Sequence, residues 1–165
     1  MKKIILFLLI SFSFISYSQN EISQGKSAPN FKLESLDGGF VELSKVIGKG
    51  PVLLSFWATW CKPCMEEMNE LNKINNELKD KGFTLLAIST DNEKTIAKVK
   101  PLVKSKGYNF TVLLDKNSDV ARKYYAQQIP YSVLIDKDGK IISTHMGYMK
   151  GDEIKLREKI LSLLK

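Results

Sequence analysis

Apolar and polar positions divide the chain into segments of two periods. Phe31 to Leu36 and Phe40 to Leu43 alternate about Asp37-Gly38-Gly39, the pattern of a β-hairpin. Val52 to Trp57 is almost wholly apolar and six residues long, which predicts a strand buried on both faces. After it the period changes. Met65, Met68, Leu71, Ile74 and Leu78 recur at three or four residues, so a helix is expected from Pro63 to about Lys81, with Gly82 stopping it. Phe83 to Ser89 reads as a second buried strand, and Tyr108 to Leu114 as a third. Glu93 to Lys106 between them has helical character, with Pro101 expected to kink or split it. Ser118 to Gln127 reads as a helix. Tyr131 to Asp136 and Lys140 to Thr144 flank Lys137-Asp-Gly139 as a second hairpin, and Gly151-Asp152 opens a final helix to Leu163. Ser44 to Ile47 has room for one helical turn. Alternation of strands and helices, closed by a hairpin and a helix, predicts an α/β fold with a mixed central sheet covered by helices. Right-handed crossovers would make the central strands parallel.

The N-terminus has a different character. Lys2 and Lys3 precede an apolar run from Ile4 to Ile10, and small residues at Ser16 and Ser18 suit cleavage after Ser18. Residues 1–18 are therefore expected to be a signal peptide and 19–165 a single domain outside the cytoplasm, periplasmic or otherwise extracytoplasmic. The alternative is an uncleaved anchor, for which the apolar run is short of the ~20 residues a span needs. No cysteine follows the run, so lipid attachment there is excluded.

The chain carries a formal net charge of +7, and removing residues 1–18, with two lysines and no acid, leaves +5. Only Arg122 and Arg157 are arginines, and the lysines are scattered without interleaved aromatics, so nucleic-acid binding is not expected. The densest basic stretch, Lys94 to Lys106, reads as a solvated helix face, or else as a docking patch for an acidic partner.

The chain has two cysteines, Cys61 and Cys64, in Trp57-Ala-Thr-Trp60-Cys61-Lys62-Pro63-Cys64 at the strand-to-helix junction. A helix N-terminus offers free N–H groups and a positive dipole end, which favour a thiolate. Thiol–disulfide exchange needs that thiolate. A disulfide across so short a loop stabilises little, so the pair suits cycling better than stapling. Zinc would want four ligands, and the chain adds only His145 to the two cysteines; haem attachment would want His where Met65 stands. Metal and cofactor are accordingly not expected beyond the redox-active pair itself.

These segments resemble the thioredoxin superfamily, and more closely its exported TlpA-like and ResA-like thiol–disulfide oxidoreductases, over residues ~25 to ~165. The resemblance rests on Gly25-Lys-Ser-Ala-Pro29-Asn-Phe31, the Asp37-Gly38 turn, Phe56-Trp57-Ala-Thr-Trp60-Cys61-x-Pro63-Cys64, Ile129-Pro130 before a strand ending in Ile135-Asp136, and the strand–helix insertion between Phe83 and Pro130. It implies a thioredoxin-like fold in which Cys61 is the exposed nucleophile and Cys64 the buried resolving thiol. Lys62 and Pro63 would tune the potential. Pro130 would be a cis-proline, turning the backbone of Ile129 toward the dithiol to pair with an extended substrate, and Trp60 would line the groove or share the core with Trp57. Glu67, one helical turn beyond Cys64, would move the proton of the resolving thiol, while Glu66 points elsewhere. Three positions depart from the pattern. Ser55 stands where thioredoxin has a buried Asp, so that proton route is expected to be absent. Asn69 stands where many relatives have a kinking Pro, and Gln128 can reshape the groove. His145 reads as structural or surface.

The resemblance further implies protein substrates with disulfides, apocytochrome c among the candidates, a membrane thiol-electron donor, and a monomer. A reductase is favoured over a disulfide oxidase or isomerase. A peroxiredoxin-type thiol peroxidase is the competing enzyme class, but it needs Thr or Ser where Ala58 stands, three residues before Cys61. A non-enzymatic binding domain is disfavoured by the intact Cys-x-Pro-Cys.

Overall fold

A computed structural model describes residues 24–164. The expected signal peptide lies outside them. Seven strands form one mixed sheet: β1 (Lys32–Ser35), β2 (Phe40–Glu42), β3 (Val52–Trp57), β4 (Thr84–Ser89), β5 (Thr111–Leu114), β6 (Tyr131–Ile135) and β7 (Ile141–Met146), in the order β2-β1-β5-β4-β3-β6-β7. The helices are α1 (Leu43–Val46), α2 (Lys62–Leu78), α3 (Val99–Lys106), α4 (Asp119–Lys123) and α5 (Asp152–Leu163). β3, β4 and β5 run parallel, as right-handed crossovers through α2 and α3 require. β6 returns antiparallel against β3, and each terminal hairpin closes one edge.

β3 is buried at all six positions because it lies inside the sheet, between β4 and β6, with cover on both faces. Alternate residues divide between two cores. Leu53 and Trp57 join the face of α2 carrying Met68, Leu71, Ile74 and Leu78; Leu54 and Phe56 join Leu43, Val120, Tyr124 and Val133 on the other side. α2 runs unbroken for 17 residues, as expected with Asn69 in place of a proline; its Oδ1 accepts the Tyr108 hydroxyl at 2.9 Å. The chain ahead of β1 is tied to the sheet. Gly25 N–H and Ala28 N–H bond to Ile141 and Gly139, extending the β7 edge.

Three expected elements are shorter. The helix expected from Glu93 starts as a 3₁₀ turn at Ile96–Lys98 and becomes α3 only at Val99, so Pro101 falls in the first turn, where its missing N–H leaves no bond unmade. The strand expected from Tyr108 begins at Thr111, because Tyr108 and Asn109 are drawn to α2 by side-chain bonds to Asn69 and Asn72. The helix expected to reach Gln127 ends at Lys123. Tyr124 turns into the core and donates its hydroxyl to Pro29 O at 2.6 Å, and Tyr125 follows at φ 54°. The five lysines from Lys94 to Lys106 are exposed.

The approach to β3 depends on one close backbone contact. At Gly50 an added Cβ would lie 2.2 Å from Gly82 O, and Gly82 itself takes φ 100° to end the turn that follows α2. Gly50→Ala must therefore displace backbone on one side or the other. It should destabilise the fold by at least about 2 kcal/mol in denaturant unfolding; an unchanged midpoint would show that the two segments separate freely.

Candidate active site

The sheet register brings the candidate residues together. β3 ends at Trp57, whose side chain is fully buried, and the chain crosses Ala58-Thr59-Trp60 to reach Cys61 at the N-cap of α2. Buried Asp91, two residues beyond β4, holds that crossing. Its carboxylate accepts Thr59 N–H at 2.8 Å and Thr59 Oγ1–H at 2.6 Å, and Ser89 Oγ–H at 2.9 Å. Thr90 N–H bonds to Trp57 O at 2.8 Å beside it. Sequence reasoning missed Asp91, although an acid just past the neighbouring parallel strand lies at the strand ends where such sheets hold their loops.

Cys61 and Cys64 form a disulfide with Cα atoms 5.3 Å apart. Cys61 Sγ accepts the Cys64 N–H at 3.2 Å, one of the donors that a helix start leaves unpaired. The same N–H and the helix dipole would hold a Cys61 thiolate in the reduced protein. Lys62 and Pro63 occupy the first two helical positions and are exposed. Cys61, expected to be exposed, is only 5% accessible and belongs to the core cluster on the α2 side of the sheet; Cys64 is fully buried. The exposures of the two residues differ little.

The Ile129–Pro130 bond is cis and precedes β6. Since Tyr131 pairs with Phe56, this bond lies beside the end of β3. Ile129 is half-buried against the cluster that contains both cysteines. Trp60, 66% exposed, shares a shallow groove with Ile129, Ala126 and Gln127, so the two tryptophans divide the roles that sequence left open: Trp57 is core and Trp60 surface. Gln128 is exposed.

Glu67 points inward from α2 and retains 4% exposure; Glu66 is exposed. The Glu67 carboxylate accepts the Ser55 hydroxyl at 3.4 Å. Burial raises its pKa to about 7, partly opposed by the Ser55 bond and reinforced by the charge of Asp152. The position read as a lost proton route, Ser55, is thus the partner of a second buried acid. His145, read as structural or surface, sits at the rim of the cleft that reaches Glu67, with Ser132, Tyr148 and Asp152 around it. Sequence did not single out those three, whose convergence requires the β6–β7 register and the start of α5. Among the described residues no cluster of His, Cys, Asp or Glu is arranged to hold a metal ion.

A profile of the AhpC/TSA family matches residues 24–144. The chain belongs to this family of thioredoxin-like proteins. It is 39% identical over 137 residues to the thiol-disulfide oxidoreductase ResA of Bacillus thuringiensis subsp. konkukian, covering 83% of this chain and 75% of the relative. ResA of Bacillus subtilis is 34% identical over 151 residues, covering 88% and 83%. Among solved structures, a candidate thiol:disulfide interchange protein DsbE from Chlorobium tepidum superposes with a TM-score of 0.81 at 32% identity, covering 88% of this chain and all of that one. The chain is accordingly a thiol–disulfide oxidoreductase of ResA type within the AhpC/TSA family, with a close cysteine pair and a thioredoxin-like fold.

The burial of Glu67 has a measurable consequence. A carboxyl with pKa near 7 in the fold and near 4.5 in the open chain is protonated in the native state while already ionised in the unfolded one. The stability it contributes is fully present below about pH 4.5 and is lost as pH rises through about 7, by about 3 kcal/mol in all. Glu67→Gln should flatten this part of the stability profile of the oxidised protein, measured by denaturant unfolding at pH 5 and pH 8. A variant that keeps the wild-type slope would show that Glu67 is not the group responsible.

Proposed function

We propose that this chain is an exported reductase of protein disulfides, acting through a mixed disulfide on Cys61. The observation that carries this reading is the Cys61 sulfur at the N-cap of α2, accepting the Cys64 N–H while Cys64 itself is buried. In the reduced protein the Cys61 thiolate attacks one sulfur of the substrate disulfide and expels the other as a thiolate, which takes a proton from solvent. Cys64 then loses its proton and attacks Cys61 Sγ. The bond from Cys61 to the substrate breaks, and the substrate leaves as a second thiolate. Two electrons pass to the substrate, and Cys61–Cys64 closes. No further cofactor is needed.

Each of the remaining residues has a role in this cycle. Ile129, before the cis bond, offers its backbone to an extended substrate chain beside the sulfurs, and Trp60 covers the substrate flank. Lys62 adds positive charge beside Cys61, and Pro63 fits the first helical turn without an unpaired donor. Glu67 takes the proton of Cys64, because an acid with a pKa near neutrality can both accept and release a proton at working pH. Export is supported by the charged and apolar pattern of residues 1–18. An exported reductase must be recharged, which calls for a membrane thiol-electron donor; disulfides of exported proteins, apocytochrome c among them, are the client class.

Direction is read from the potential. Reductases lie near −270 mV and strong oxidants near −120 mV, and a Lys-Pro pair lacks the His of the strongest oxidants. Titration of residues 19–165 against glutathione should give a value well below about −200 mV; one above about −150 mV would make the protein an oxidant. Cys64→Ser should accumulate a mixed disulfide on Cys61, detected by mass, while Cys61→Ser should form none. Rapid peroxide consumption with a thiol donor would instead favour the peroxidase reading.

A further inference from the structure

Cys64 has no exposure of its own, so a proton leaving its thiol needs a buried acceptor, and that acceptor needs a way to discharge. The sheet provides a polar row leading outward. Ser55 pairs with Ser132, and Ser132 with His145, so these three residues stand side by side across β3, β6 and β7. Paired residues share a face, here the one on which Ser55 meets Glu67 of α2. Between this row, α2 and the start of α5 lies a cleft of about 180 Å³ that reaches Glu67. One water needs roughly 10–15 Å³ of such volume, so the cleft has room for a chain of them. At its mouth His145 Nε2 lies 3.1 Å from Asp152 Oδ2, and Asp152 is fixed in turn by the Met149 N–H at 2.8 Å. The imidazole is half-exposed, at 49%.

We propose that this cleft is the proton outlet of Glu67, and that His145, oriented by Asp152, passes the proton between the cleft and bulk solvent. The proposal rests on the reading of Glu67 as the proton acceptor of Cys64. As Cys64 sulfur attacks Cys61 Sγ, its proton moves to the Glu67 carboxylate, the bond from Cys61 to the substrate breaks, and the substrate sulfur departs with the electron pair. Glu67 must then lose that proton before the next turnover. It does so through the cleft to Nδ1 of His145, whose Nε2 stays bonded to Asp152, and the same Nδ1 then gives a proton to solvent. No electron moves in this second stage, and no co-reactant is consumed.

The other charged groups near the path are few. β3 and β6 supply no charged group, and α2 adds Glu70 near Tyr148. Tyr148 is committed to Glu153, donating its hydroxyl at 2.9 Å, and burial and that carboxylate hold it well above the usual phenol range. Glu153, Lys155 and Lys159 of α5 are further charged groups of the lining, and Ser143 and Thr144 of β7 add hydroxyls. His145 is the imidazole at the mouth, in contact with Asp152 and half-exposed to solvent.

The test is the rate of the resolving step, followed by stopped flow with a fluorophore-labelled peptide disulfide from about pH 5.5 to 8.5 in weak buffer. Glu67→Gln should slow resolution by about a hundredfold. His145→Gln should slow it roughly tenfold without moving the redox potential, and added imidazole should restore the rate. Ser132→Val, which interrupts the path inside the mouth, should slow it similarly and resist imidazole. If Glu67→Gln has no effect, the reading of Glu67 fails and the outlet with it. If Glu67→Gln slows the step while His145→Gln and Ser132→Val keep the wild-type rate and pH profile, the outlet alone is overturned. A slow His145→Gln variant that imidazole does not restore, or whose potential shifts, would assign His145 a structural role and overturn the proposal as well.

Discussion

Everything at the site depends on how the central strand hands the chain to the first long helix. β3 is buried on both faces and ends at Trp57; four residues later α2 has begun, with Cys61 as its cap. Such a junction leaves backbone donors at the helix start without helical partners, and here one of them is directed at sulfur. The loop between strand and helix is short and would wander without a tether. Asp91 provides one, accepting both the backbone and the hydroxyl of Thr59 from the adjoining strand end. The position of the dithiol is thus determined by two parallel strands and a buried carboxylate rather than by the cysteines themselves.

A second constraint is the burial of Glu67. An acid in that place opposes its own ionisation, and the Ser55 hydroxyl at 3.4 Å offsets only part of that. A side chain of this kind weakens the fold at neutral pH, and the proton transfer proposed for it would be the reason to tolerate it. In the proposed cycle a group must bind a proton at one stage and release it at another, and on that reading the stability and the chemistry of this region are in opposition.

Much of this arrangement was legible in the chain. The buried run Val52–Trp57, the three-and-four spacing of Met65 to Leu78 and the two hairpins were read correctly, because periodicity reports directly which side of an element meets the core. Boundaries were harder. Tyr108 has strand-like neighbours, yet its hydroxyl bond to Asn69 draws it to α2, and Pro101 sits harmlessly in a first turn where a kink was expected. Local pattern cannot register a partner that is distant in sequence.

By itself the sequence determined the chemistry of this protein: two cysteines two residues apart, placed where a strand gives way to a helix, carry a thiol–disulfide exchange reaction and are short of zinc ligands and the haem-attachment histidine. It also determined the order of strands and helices, since those follow from alternation along one chain. Only the tertiary structure decided the surroundings. The accessibility of Cys61, the anchoring by Asp91, the pairing of Ser55 with Glu67 and the meeting of Ser132, His145 and Asp152 all depend on strand register and helix packing. Those are relations between residues as many as 85 positions apart, Glu67 and Asp152, whose contribution to Glu67 exists only once the sheet has closed and α5 has docked.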